Sequence, residues 1–275
     1  MTKGAAVDAG IRVETRGSVL RVVLASPENR NAHTPATWRR LTQIADLVTD
    51  EVRVVLLVAE GPSFGAGLDR RMFTPAGVKG EESLVSLADS SDELVDSFIR
   101  EAQQAFTWWS TCPAITIAAV QGHAIGASAQ LALACDLMIV ADDVQFALRE
   151  TSLGLIPDLA GTWPLVSKVG YARALEICGT GRFVESEEAV AIGLAHSAHP
   201  ASALLCAADA LVDEFLAAPQ GSLCALKPLL QGALTRTAPE QQAAERAAQI
   251  PRLREIRAMM TATDTRKMKD DIHER

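Results

Sequence analysis

Val120-Gln121-Gly122-His123-Ala124-Ile125-Gly126-Ala127-Ser128-Ala129-Gln130-Leu131-Ala132-Leu133-Ala134-Cys135-Asp136-Leu137 follows an apolar run, Ile115 to Val120, that reads as a strand covered on both faces. The chain then turns on small residues through Gln121, Gly122 and His123. A second apolar segment, Leu131 to Val140, crosses from helix into strand near Cys135 and Asp136. A small-residue turn that leaves a strand and opens a helix exposes backbone amides at the positive end of the helix dipole, a place suited to a developing oxyanion. A tight βα turn that only needs close packing uses the same residue types, so one such turn does not decide the chemistry.

Upstream lies a turn of the same kind, Phe64-Gly65-Ala66-Gly67-Leu68-Asp69, after another buried-strand run from Val52 to Ala59. Val19 to Ala25 is a third such run, and a helix is predicted between the two. Thr34 is its N-cap, Pro35 takes the first helical position, and Trp38, Leu41, Ala45 and Val48 recur at spacings of three and four. Residues 75–96 are rich in Gly, Ser and acids and predict a mobile loop bordering a site, with a helix from about Asp92 to Trp109 stopped by Pro113. Downstream, short strands are expected at Ile139 and Phe146, a loop from Pro157 to Gly161, and helices at about 163–178 and 186–193. In the last, Ser186 is the expected cap, Glu187 and Glu188 favour the positive end, and Gly193 terminates. From Ala201 strand signals vanish, and three helices over 201–217, 221–233 and 239–262 precede a charged stretch from Thr263 to Arg275. The expected organisation is an α/β core over 1–200 and a helical region over 201–275, with no simple repeat.

The 275 residues suffice for a large core, and 48% hydrophobic and 22% charged residues are ordinary globular values. A formal net charge of −8 speaks against a general nucleic-acid binder, whose affinity rests on neutralising phosphates with Lys and Arg. No window approaches the roughly 18 apolar residues of a membrane span, and MTKGAAVDAG does not read as a leader, so a soluble cytoplasmic protein is expected. Cys112, Cys135, Cys178, Cys206 and Cys224 are scattered and form no CxxC pair, which points to core residues of a reducing compartment. His196 and His199 have no further ligand nearby and are assigned to a surface loop. Neither a metal nor a nicotinamide or flavin cofactor is expected.

Four blocks in order give the chain its resemblance: Asn31-Ala32 opening the first helix, the FGAGLD turn, VQGHAIGASAQLALACDL, and FALRETSLGLIPDLAGTWPL followed by GYARALEICGTGRFVESEEAVAIGLA. Together they resemble the crotonase superfamily of enoyl-CoA hydratases and isomerases, closely over about residues 12–200 and loosely in the tail. The resemblance implies a spiral of repeated ββα turns, a C-terminal helical trimerisation region, a trimer or hexamer, and an acyl-CoA thioester as ligand. It assigns the oxyanion-hole amides to Leu68 and Ala127, where each donor is worth roughly 3 to 4 kcal/mol in comparable sites. Ala66, Asp69, Arg70 and Arg71 are the candidate CoA contacts.

Hydratases of this superfamily use two glutamates, and here the first position holds Gln130, which has no proton-transfer pKa in the working range. The second is Glu150. Glu150-Thr151-Ser152-Leu153-Gly154 resembles the enoyl-CoA isomerase branch, in which one glutamate moves a proton between C2 and C4 of the acyl chain. Asp158 falls where dienoyl-CoA isomerases and aromatic acyl-CoA dehalogenases carry a catalytic aspartate, although the dehalogenases have tryptophan in place of Glu150. The leading expectation is a 3-enoyl-CoA to 2-enoyl-CoA isomerase. A hydratase in which Gln130 positions water and Asp158 assists, and a non-catalytic acyl-CoA binding protein, are the alternatives.

Overall fold

The structure is a computed structural model, and it describes residues 6–273; the leading residues 1–5 lie outside that range. The expected α/β spiral is present. Six strands form the main sheet in the order β1-β2-β3-β4-β6-β9: β1 Ile11–Arg16, β2 Val19–Leu24, β3 Val54–Ala59, β4 Ile115–Val120, β6 Leu137–Ala141 and β9 Ser197–His199. β1 and β2 pair antiparallel, and every later neighbour pairs parallel. A small sheet holds β5 His123–Ile125, β7 Gln145–Ala147 and β8 Val184–Glu185, extended by parallel bridges from Gly65 to Ala124 and from His33 to Leu68.

The repeat that is invisible in the sequence is therefore a repeat of path. One turn runs from β2 through the bridge at His33 to helix α1, Pro35–Ile44. After β3 comes the Gly65–Leu68 segment, a short helix α2, Leu84–Ala88, and the long helix α3, Asp92–Thr111. β4 leads through β5 into α4, Ala127–Ala134. Stacking these turns puts segments far apart in sequence side by side in the small sheet.

Local chemistry explains the turns. Thr34 and Thr37 form a reciprocal capping box with Pro35 inside it, and Trp38, Leu41 and Ile44 are buried. The Trp38 ring meets Phe98 and Phe106 of α3 edge-on, at 6.4 and 6.3 Å between centroids. Asn31, in left-handed backbone at φ 52°, accepts from Ser26 N–H at 2.8 Å and donates to the Glu60 and Ser63 carbonyls at 2.9 and 3.0 Å. One side chain thus anchors the turn that ends β3. Asp136 Oδ2 accepts from the Thr116 amide and hydroxyl at 2.9 and 3.0 Å, which ties the start of β4 to the end of α4.

Several boundaries differ from expectation. β1 carries no apolar run, and pairing with β2 makes it a strand. Residues 75–96 include α2 and the start of α3 as well as loop. The helix expected at 163–178 is two, α5 Thr162–Val169 and α6 Tyr171–Thr180, parted at Gly170. In α7, Ser186–Ala191, the N-cap is Glu185; Ser186 is already helical and its hydroxyl donates to the Asp142 carbonyl at 3.2 Å. The loop proposed for His196 and His199 is partly strand: β9 pairs with β6, and His199 bonds Ser197 at 2.9 Å.

The chain divides into two compact units, Met1–Glu214 and Phe215–Arg275. The expected division after residue 200 moves into α8, Leu204–Ala217, because Leu204, Ala208 and Val212 are buried and Asp209 lies 3.9 Å from Arg21. The second unit contains α9, Gln220–Gly232, and α10, Ala238–His273. Among the apolar residues of the tail, Leu204 is buried, Leu226 and Ile250 are exposed, and Leu211, Phe215, Leu223 and Leu229 are half-buried. The side chain of Met259 and those of the charged stretch from Thr263 lie outside the described residues. Among the described residues no helix is long and apolar enough to cross a membrane.

Candidate active site

All eight residues of α4 are buried. Its alanines let neighbouring backbone approach on every side, and its N-terminus opens at Gly126, with φ 54° and ψ −117°, a backbone that side chains rarely adopt. Gly126 N–H donates to the Ala147 carbonyl at 2.9 Å, and Gly126 C=O takes the first helical bond, from Gln130 N–H, at 2.9 Å. In a trans peptide the next N–H points opposite to that carbonyl, so the Ala127 amide is directed out of the helix end.

The upstream turn is held by His33. Its N–H donates to Gly67 C=O at 2.7 Å and its C=O accepts from Asp69 N–H at 2.8 Å. Both neighbours of Leu68 are thereby turned toward His33, and the Leu68 N–H faces away from it. Gly67 has φ 83°, and a Cβ built there would sit 2.7 Å from the Ile125 carbonyl oxygen and 3.7 Å from the Ala127 nitrogen. The turn bearing Leu68 and the helix end bearing Ala127 are therefore in van der Waals contact.

The two polar side chains of α4 leave it on opposite sides, about 200° apart at two helical positions. Ser128 Oγ accepts from Gly67 N–H at 3.2 Å and meets His33 Nε2 at 3.3 Å. Gln130 reaches the other way. Its Oε1 accepts from Leu159 N–H at 2.9 Å and Gly161 N–H at 3.2 Å, and its Nε2 donates to Glu150 Oε1 at 2.8 Å.

Glu150 opens a short 3₁₀ turn, Glu150–Leu153, just after β7. Its Oε1 would lie 3.5 Å from a Cβ at Gly126, so the carboxylate sits over the helix end that presents Ala127. Its Oε2 is buried and has no hydrogen-bond partner. Burial pushes the Glu150 pKa up, and the Asp158 charge adds to that rise, while hydrogen bonds from its own backbone and from Gln130 oppose it. Burial likewise raises the Asp158 pKa. The Asp158 backbone is fixed by Gln103 of α3, whose Nε2 donates to its carbonyl at 2.7 Å.

Leu68, Ala127, Gln130, Glu150 and Asp158 are thus brought to one locality. The expected water-positioning role for Gln130 meets an amide oxygen already engaged by two backbone N–H groups; its side chain acts as a bracket between the 157–161 loop and Glu150. Ala66 donates its N–H to the Arg30 carbonyl at 2.9 Å. Asp69 is buried, caps the turn after Leu68 by accepting from Arg71 N–H at 2.9 Å, and receives Arg71 Nε and Nη2 at 3.0 and 2.7 Å. That guanidinium, first through its hydrogen bonds, lowers the Asp69 pKa. Arg70 and Arg71 are exposed beside it.

Sequence reasoning passed over His33, Ser128, Trp38 and Gln103. Ser128 lies inside a block that carried the resemblance, and for His33 a lone His directly after Asn31-Ala32 offered the only signal. Among the described residues no group of three His, Cys, Asp or Glu side chains is gathered as a metal site.

Residues 14–264 match the family model described as enoyl-CoA hydratase/isomerase. A Bacillus subtilis protein named probable enoyl-CoA hydratase is 36% identical over 143 residues, which span 52% of this chain and 50% of that protein. Probable enoyl-CoA hydratase EchA17 of Mycobacterium tuberculosis is 32% identical over 82% of each chain. A Thermobifida fusca YX protein described as a candidate enoyl-CoA hydratase, solved in complex with acetoacetyl-CoA, superposes with a TM-score of 0.85 at 40% identity, covering 90% of this chain and 96% of that one. Its crotonase fold is the spiral found here. With the family model spanning most of its length, the chain belongs to the enoyl-CoA hydratase/isomerase family.

Proposed function

We propose that this chain is an enoyl-CoA isomerase in which the Leu68 and Ala127 amides hold the thioester oxygen and Glu150 carries the proton. One observation supports this above the rest: Glu150 Oε2 is buried without a partner while Gln130 holds Oε1, so one lone, aimed carboxylate faces the helix end beside the two amides. In 3-enoyl-CoA, Glu150 removes a proton from C2, and the C–H electrons form the enolate, whose oxygen the two N–H groups stabilise. Returning the proton at C4 moves the double bond to C2–C3 and restores the carbonyl. The raised pKa of Glu150 suits both halves of that shuttle, since base and conjugate acid are closer in population near neutrality. The gain from each amide is about 3 to 4 kcal/mol.

CoA complexes of the Thermobifida fusca neighbour support a CoA thioester as the ligand here. Asp69 braces Arg71 at the mouth of the first turn, and we assign Ala66, Arg70 and Arg71 to CoA contact. The proposal extends to lipid metabolism in the cytoplasm, which the scattered cysteines suit, and to assembly as a trimer or a dimer of trimers.

Hydration of 2-enoyl-CoA is the second reading. It is favoured by the hydratase names of the relatives and by Asp158, which gives the pocket a second carboxyl group with a raised pKa. A coupled assay on 3-enoyl-CoA and 2-enoyl-CoA separates the two. Migration of the double bond faster than water addition supports the isomerase; rapid hydration with little migration overturns it in favour of the hydratase.

A further inference from the structure

Two buried polar side chains play no part in the proton transfer just described, and both touch the turn that presents Leu68. His33 and Ser128 are fully buried. The indole N–H of Trp38 meets His33 Nδ1 at 3.3 Å. An indole can only donate, so Nδ1 accepts and the ring hydrogen belongs on Nε2. Nε2 in turn faces Ser128 Oγ at 3.3 Å, and that oxygen also accepts from Gly67 N–H. Both acceptor positions of the serine hydroxyl are then filled from opposite directions.

We propose that Ser128, held by His33, is a positioning residue that ties the turn bearing the Leu68 amide to the helix bearing the Ala127 amide and so sets the mutual direction of the two donors. The inference rests on the oxyanion reading of those amides. Its geometry is specific to Gly67, whose two peptide groups are both fixed: the N–H by Ser128, which follows Ala127 in the chain, and the C=O by the backbone of His33. With the Gly67 carbonyl held, the Leu68 N–H of the same planar peptide has one direction left to it. The brace is rigid because its parts cannot exchange with water and because α4 is packed on all sides. Burial keeps His33 neutral down to a pKa of about 4, so Nε2 remains a donor to Ser128 through the working range. Donors placed before reaction stabilise a developing oxyanion without reorganisation, and small errors in their aim are costly.

The test is the infrared stretch of butanoyl-CoA labelled with ¹³C at C1, measured free and bound to the full chain, together with kcat and KM on 3-enoyl-CoA. Bound to the wild type, the carbonyl band is expected to fall in frequency. Ser128→Ala should lose much of that displacement and about ten-fold to a hundred-fold in kcat, with KM within about three-fold, because the donors still exist but aim poorly. His33→Leu should behave alike. His33→Gln, whose amide nitrogen stands in for Nε2, should recover most of the displacement and serves should Ser128→Ala not fold. A wild-type displacement and kcat retained in folded Ser128→Ala or His33→Leu overturns the brace alone. No displacement in the wild type overturns the oxyanion reading and the brace with it.

Discussion

Gln130 donates its amide N–H to Glu150 at 2.8 Å while its oxygen takes the backbone N–H groups of Leu159 and Gly161. The residue that departs from the hydratase pattern is thus a clamp on the carboxylate proposed as base. A glutamate here would still accept from the two backbone N–H groups but would face Glu150 with a second negative charge.

Removing the clamp has a signed consequence. The Gln130 N–H favours ionised Glu150, so Gln130→Met should raise the Glu150 pKa further and move the acid limb of kcat/KM to higher pH. In Gln130→Glu, two carboxyl groups within hydrogen-bonding distance cannot both ionise, and one should keep its proton near neutrality. That supplies the acid that hydration requires, so 2-enoyl-CoA hydration should rise. An acid limb unmoved in Gln130→Met would show that the bond does not tune the base.

His33 makes stability fall in acid. Its folded pKa of about 4 lies below the ordinary 6.5, because burial disfavours the charged ring. Its ring partners Trp38 and Ser128 bear no charge. The unfolded chain therefore binds more protons between those values; the contribution is complete above pH 6.5 and is lost as pH falls toward 4. The amplitude is about 3 kcal/mol by linkage from those two pKa values. Glu150 and Asp158, with raised pKa values, act in the opposite sense, losing stability as pH rises. Urea unfolding at pH 7 and pH 4 should show a steeper acid loss for the wild type than for His33→Gln. Equal losses in both would contradict a buried neutral ring.

The proposed assembly is motivated by apolar side chains of the second unit. Leu226, Leu230, Leu234, Ile250, Leu253 and Ile256 are 46 to 60% exposed, and apolar surface of this kind, where contiguous, marks interaction sites. Light scattering at micromolar concentration should return the mass of a trimer or hexamer, and a monomer would refute it.

The spiral was legible where strands are buried on both faces, since Ile115 to Val120 is apolar but for Thr116 and Val52 to Ala59 is apolar but for Arg53, each bounded by Gly, Pro or charged residues. β9 was not, because Ser197, Ala198 and His199 carry no strand preference and owe their conformation to pairing with β6. Glu150 and Gln130 were readable as a pair of positions through the resemblance, but the bracket to Leu159 and Gly161 depends on how a loop folds back over α4. His33 and Ser128 are 95 residues apart and meet only because two turns of the spiral stack. No local pattern in the chain encodes that meeting.

Glu150→Gln assayed on 3-enoyl-CoA, with acyl-CoA affinity measured on the same sample by calorimetry, tests the central claim most directly. Gln keeps the shape of the side chain but cannot take a proton. A loss of about 100-fold to 10,000-fold in isomerisation is expected, with binding within about three-fold, since the ligand is held by the amides and not by the base. Full isomerase activity in folded Glu150→Gln would contradict the account and make Asp158, in the same pocket, the group that moves the proton.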